Sequence, residues 1–187
     1  TRSVGSADHW QVYATAFEFW DRVVARSPTL TQRMTNVRIA SNITLAQSAP
    51  CCGGFGCTAS CTIDRNYVRI FEGRGRERPI TSVAHELGHA ATQHGLESEA
   101  VYDPDCSPDH QFNVVNPCQA VGWHEGMANF FATRFSFSEN ATAARFGPTP
   151  PGGGVETPIS ECGTDPAPFM IEGCITAAVW DLVDDPI

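Results

Sequence analysis

The sequence predicts an α+β fold that forms one domain over residues 1–187. Apolar residues recur at helical spacing in residues 8–26, and apolar and polar residues alternate in residues 37–45. Two further helical patterns occupy residues 80–94 and a stretch that ends near residue 137. A chain of this length can bury a sizeable core without dividing into separate domains.

The N-terminal half is predicted to hold one helix and two strands. The helix covers residues 8–26 and the strands cover residues 37–45 and 67–71. A cysteine-rich loop at residues 50–61 separates the strands, and a basic turn at residues 73–78 follows them. The helix carries an apolar stripe that is predicted to face the core, namely Trp10, Tyr13, Ala14, Phe17 and Val24.

The C-terminal half is predicted to be helical with irregular connections. Pro79 suits the first turn of a helix and Gly95 is a typical stop, so a helix is predicted from Ile80 to His94. The segments that follow are a loop at residues 96–118, a helix through Glu125 to about Phe137, an irregular stretch at residues 147–168, and a last helix from Ile171 to Val183.

Eight cysteines, an even number, predict disulfides and an oxidising compartment. The chain is therefore predicted to be secreted and extracellular, or periplasmic. Spacing favours two local bridges, Cys106–Cys118 and Cys162–Cys174. Disulfides are also favoured in the 50–61 loop, where a structural zinc cluster is the alternative and the pairing stays open. The cysteines of that loop are Cys51, Cys52, Cys57 and Cys61.

Charge and hydropathy narrow the possible partners. A formal net charge of −9 argues against binding to nucleic acid or to anionic membranes. No apolar run reaches the length of about 18 residues that a transmembrane helix needs. No charged-then-apolar segment of the signal-peptide type is present at the N-terminus. The oligomeric state is not predicted.

The pattern that decides the function is His85-Glu86-Leu87-Gly88-His89, an H-E-x-x-H motif. A helix places residues i and i+4 on one face, so both imidazoles can bind one ion. Two imidazoles at this spacing suit Zn²⁺, and Glu86 lies where it can take a proton from a zinc-bound water. The motif predicts one Zn²⁺ per chain, with His85 and His89 as ligands and Glu86 as the catalytic base.

A catalytic zinc needs a third protein ligand, and Glu125 is the predicted one. Glu125-Gly126-Met127-Ala128 resembles the glutamate helix of gluzincin metallopeptidases, a branch of the zincins, in which Glu-Gly-x-Ala follows the H-E-x-x-H helix. The small Gly126 and Ala128 would let this helix approach the first one closely. The resemblance covers two short blocks. It implies a minimal zincin-like core, in which a small twisted sheet packs on the H-E-x-x-H helix among disulfide-tied loops.

Two other zincin branches predict a different third ligand. In metzincins the ligand is a histidine ten residues after the first, but that position is Gly95 here, and the glycine expected before it is Thr92. In aspzincins it is an aspartate in a Gly-Thr-x-Asp stretch. Gly163-Thr164-Asp165 is similar but lacks one spacer residue, so Asp165 is the weaker alternative.

The resemblance implies a secreted zinc metallopeptidase, an endopeptidase, that acts on protein or peptide substrates. Glu86 would accept a proton from the zinc-activated water and deliver it to the leaving amine, while the metal polarises the scissile carbonyl. The candidates for an oxyanion donor are Tyr102, His110 and His124. The alternatives are a non-catalytic binding domain on a zincin scaffold and a zinc hydrolase of a non-peptide amide.

Two acidic features are further candidates for a role in metal binding. The loop at residues 102–110 holds Asp103, Asp105 and Asp109 and could bind Ca²⁺, although a plain acidic loop is favoured because the Asp-x-Asp-x-Asp-Gly order is missing. Asp181 could orient a zinc-bound histidine. The simpler interpretation of Asp181 is a surface acid near a helix end.

Overall fold

A computed structural model describes residues 6–43, 61–64, 66–71, 80–96, 112, 114–115, 119–136, 162 and 168–184. The chain forms two compact units, residues 1–99 and residues 100–187, and each is described by itself. Helices dominate the described residues and the sheet is minimal, which is compatible with the α+β prediction in its coarse form. The assignment of residues 1–187 to a single domain stays a prediction.

The first unit begins with two helices joined by a capped turn. Helix α1 is Ser6–Arg22, a 3₁₀ turn follows at Val24–Arg26, and helix α2 is Pro28–Arg33. Ser27 is the N-cap of α2, because its hydroxyl accepts a hydrogen bond of 3.3 Å from the backbone N–H of Leu30. The predicted helix over residues 8–26 therefore ends at Arg22, and α2 was not predicted.

The aromatic stripe of α1 does not face the core. Trp10, Tyr13 and Phe17 are 72%, 52% and 75% exposed, so their prediction as core residues is wrong. The opposite face of the helix is also apolar and is the one that packs. Its buried members are Val12, Thr15 and Phe19, and Val24 is buried in the following turn as predicted. Periodicity identified an apolar face, but it could not decide between two of them.

The sheet has three strands. They are β1 at Arg38–Ile43, β2 at Cys61–Asp64 and β3 at Tyr67–Phe71. The central strand, β3, runs parallel to β1 and antiparallel to β2. Both predicted strands are thus confirmed at the described positions, whereas β2 begins inside the segment that was predicted to be a loop.

Helix α3, Ile80–Leu96, packs in the first unit against α1, α2, β2 and β3. Small and apolar residues fill this contact, namely Val83, Ala84, Leu87, Ala90 and Ala91. The guanidinium of Arg33 donates to the carbonyl oxygens of His94, at 3.1 Å, and Gly95, at 3.4 Å. These bonds supply donors to carbonyls that the helix end leaves unsatisfied. The predicted helix is confirmed, but it continues through Gly95 to Leu96.

The second unit is built on two packed helices, α4 at Gln119–Ser136 and α5 at Glu172–Asp184. Phe130 and Trp180 are buried together between them, and Met127, Phe131 and Val179 pack around this pair. The predicted Cys162–Cys174 disulfide is present and ties residue 162 to the first turn of α5. Cys106–Cys118 and the bridges of the 50–61 loop involve residues outside the described ones, or, at Cys61, an undescribed side chain.

No described helix is both long enough and apolar enough to cross a membrane.

Candidate metal centre

Helix α3 brings its two motif histidines together on one face. The Nε2 atoms of His85 and His89 lie 3.2 Å apart, and the rings meet edge to face, with centroids 4.7 Å apart at an angle of 87°. A tetrahedral zinc with Zn–N bonds of about 2.0–2.1 Å places two ligand nitrogens about 3.3 Å apart. The helix alone therefore supplies a nitrogen pair at nearly the separation that zinc requires.

The rest of α3 explains why this pair is well held. Gly88 lies between the two histidines and is buried, so the helix can be packed closely at that turn. The hydroxyl of Thr92 donates to the carbonyl oxygen of Gly88 at 2.9 Å, so Thr92 satisfies its own helix. His89 is buried and His85 is half-buried. Burial restricts the side-chain conformations that each imidazole can adopt.

Glu86 follows His85 directly in α3 and is the acidic residue of the motif. Its side chain is only 8% exposed although it ends in a carboxylate. A buried carboxylate is costly unless polar groups or a metal compensate its charge, so such residues are rare outside functional or paired positions.

Glu125 lies on α4 and is 4% exposed. His85, His89 and Glu125 form a group that could hold a metal ion. The donor set is two imidazole nitrogens and one carboxylate oxygen, a combination that suits Zn²⁺. Among the described residues, Glu86 is not a member of this group.

A second polar cluster lies beside Glu125 within the second unit. The side-chain N–H of Asn129 donates to Glu172 Oε2 at 3.1 Å, and both residues are buried. The hydroxyl of Thr176 lies 3.0 Å from the carbonyl oxygen of Gly126. These partners were not predicted from the sequence, because only the position of Asn129, one turn after Glu125, gives any local signal.

The role predicted for Gly126 needs a correction. It was expected to let α4 approach the H-E-x-x-H helix, but the nearest neighbours of an added Cβ belong to α5. An ideal Cβ there would lie 2.5 Å from Ile175 Cβ and 2.8 Å from the carbonyl oxygen of Glu172. The close approach that this glycine permits is therefore to α5.

Some of the other residues that were predicted to take part in the site are described by the structure, and others are not. His124 is half-buried on α4, and Asp181 is exposed on α5. Tyr102, His110, Asp165 and the acidic loop at residues 102–110 lie outside the described residues, so their predicted roles stay predictions.

Comparison with known proteins adds no family assignment. No protein-family model matches the chain, and neither a curated protein nor a solved structure matches it.

Proposed function

We propose that this chain is a zinc-dependent metallopeptidase of the gluzincin type, with one Zn²⁺ held by His85, His89 and Glu125. The observation that carries the proposal is the separation of 3.2 Å between the Nε2 atoms of His85 and His89. The proposal includes a minimal zincin-like core. The contacts of β2 and β3 with α3 support that part, because the sheet of such a core packs on the H-E-x-x-H helix.

The three proposed ligands offer the ion two kinds of donor group. His85 and His89 offer neutral nitrogen lone pairs, and Glu125 offers a negative charge that a divalent cation compensates at its buried position. A zinc ion with three protein ligands and one open position supplies Lewis acidity, which acidifies a water molecule and polarises a carbonyl group.

Glu86 carries the proton transfers in this proposal. It follows His85 directly in the chain and is not one of the three grouped ligand residues, so the proposal assigns it the role of base and not of metal ligand. The carboxylate accepts the proton of the attacking water and delivers it to the nitrogen of the leaving amine.

The proposed substrate is a peptide bond in a protein or peptide, cleaved as an endopeptidase. His124 on α4 is the described candidate for a donor to the oxyanion. The Cys162–Cys174 disulfide supports an oxidising compartment, either extracellular or periplasmic. A Ca²⁺ site in the 102–110 loop stays a prediction.

Metal analysis tests the ligand set. We expect one zinc per wild-type chain, loss of zinc in His85→Ala and His89→Ala, and weaker binding in Glu125→Ala. His94→Ala is the matched control, because His94 is also buried on α3 but is outside the group, and it should keep zinc. Zinc retained by either motif variant would refute the assignment. Bound iron would refute it too, since two histidines and one carboxylate also hold Fe(II) in oxygenases.

Two further measurements separate the alternatives. If Asp165→Ala loses zinc while Glu125→Ala keeps it, Asp165 is the third ligand. A digest of a broad peptide library by the zinc-loaded wild type should show cleaved peptide bonds. A zinc-loaded protein that cleaves no peptide but hydrolyses other amides would favour the non-peptide hydrolase, and one that cleaves neither would favour a binding domain.

A further inference from the structure

The turn of α4 that carries Glu125 has no freedom to move toward α5. Gly126, the next residue, contacts α5 so closely that a Cβ would lie 2.5 Å from Ile175 Cβ and 2.8 Å from its Cγ2. Real Cβ atoms essentially never come within 3.0 Å of a heavy atom that belongs to another part of the chain. Any residue larger than glycine must therefore push the two helices apart at the position next to the ligand.

A hydrogen bond from α5 also holds the same turn. The Thr176 hydroxyl on α5 lies 3.0 Å from the carbonyl oxygen of Gly126 and 2.9 Å from that of Glu172. A hydroxyl has one proton to donate, so the two carbonyls share it. Thr176 is fully buried, and the bond therefore joins the backbone of α4 to α5 without competition from water.

The next turn of α4 is tied to the same end of α5. Asn129, four residues after Glu125, donates through Nδ2 to Glu172 Oε2 at 3.1 Å. The Oε2 atom of Glu172 accepts this bond, so the amide of Asn129 presents its NH₂ group to Glu172. Glu172 lies in the first turn of α5, where the helix dipole favours a negative charge.

We infer that α5 is the element that positions Glu125 for metal binding, and that Gly126, Thr176 and the Asn129–Glu172 pair are positioning residues. This inference rests on the proposed function. A metal site tolerates displacements of only about 0.5 Å in its ligands. Glu125 and Gly126 share a peptide bond, so a displacement of the turn at Gly126 also displaces the Cα of Glu125.

The test compares zinc affinity with stability in variants of the full chain. Gly126→Ala should lower zinc affinity about 10–100-fold, the range found when groups that orient metal ligands are removed. Thr176→Val should lower it in the same direction, and Thr176→Ser, which keeps the hydroxyl, should restore it. Affinity is measured by competition with a chelator. Co²⁺ replaces zinc in a parallel experiment, because its visible absorption reports the coordination geometry.

Phe130→Leu is the matched control. Phe130 is buried against Trp180 of α5, four residues after Gly126. Its side chain is neither among the nearest neighbours of a Cβ at Gly126 nor a partner in the Thr176 hydrogen bonds to the carbonyl oxygens of Gly126 and Glu172. Unfolding midpoints of the metal-free proteins identify variants with equal losses of stability. The inference is wrong if, at equal stability, Phe130→Leu loses as much zinc affinity as Gly126→Ala or Thr176→Val. It is also wrong if none of the three variants changes the zinc affinity or the Co²⁺ spectrum. In both cases α5 is only a packing partner of α4. If the wild type itself binds no zinc, the proposed function fails, and the inference fails with it.

Discussion

Replacing Glu86 with glutamine separates catalysis from metal binding. The substitution keeps the size of the side chain and exchanges one carboxylate oxygen for an NH₂ group, which cannot accept the proton of the attacking water. Glu86 is 8% exposed and does not belong to the His85–His89–Glu125 group. We therefore expect Glu86→Gln to fold and to retain one zinc per chain.

The expected loss of rate in Glu86→Gln follows from the proposed role of Glu86 as general base. Loss of a general base typically lowers the rate about 10²–10⁴-fold, which corresponds to about 2.7–5.4 kcal/mol of transition-state stabilisation. The upper part of this range is expected here, because Glu86 also returns the proton to the leaving amine. Its burial supports the same expectation, since bulk water has little access to replace the missing carboxylate.

The assay is kcat/KM on a peptide selected from the library digest, at equal zinc content for each protein. Glu18→Gln is the control, because it makes the same chemical change at an exposed position of α1 and should leave kcat/KM unchanged. Equal activity of Glu86→Gln and wild type would refute Glu86 as the base. Loss of zinc from Glu86→Gln would instead make Glu86 a ligand and refute the division of roles proposed for the site.

Two further predictions test the packing of each unit. Phe19→Ala should lower the free energy of unfolding by about 3–5 kcal/mol, since Phe19 is 1% exposed, whereas Trp10→Ala should cost less than about 1 kcal/mol. Denaturant titration measures both, and the reverse order would contradict the assigned core face of α1. Replacing Cys162 and Cys174 by serine should cost about 3 kcal/mol for a bridge with a sequence separation of 12. An unchanged urea midpoint would show that this bridge does not stabilise the protein in solution.

The sequence was most informative where one helix determines the geometry. Residues i and i+4 of a helix are neighbours on one face. The sequence separation of His85 and His89 therefore predicts that their imidazole rings are in contact, without any knowledge of the fold. The bounds of α3 and α5 and the end of α4 also followed from local signals to within about two residues. Local signals failed for α1, because its buried face depends on which side the rest of the unit covers.

Contacts between distant residues could not be predicted in the same way. The strand β2 has only four residues, and it is a strand because its backbone pairs with β3. The hydrogen bond between Asn129 and Glu172 joins residues 43 positions apart. No spacing in the chain indicates that these two residues meet, because their contact results from the packing of α4 on α5.

Glu125 and Gly126 on α4 show that a glycine singled out in the sequence can have a different structural role from the expected one. The small Gly126 and Ala128 were expected to let α4 approach the H-E-x-x-H helix closely. The glycine meets Ile175 and Glu172 of α5 instead. Since Glu125 and Gly126 are adjacent, the same turn of α4 carries the proposed metal ligand and packs closely against α5. The requirement for glycine is therefore steric at position 126, although its consequence is expected at the carboxylate of Glu125.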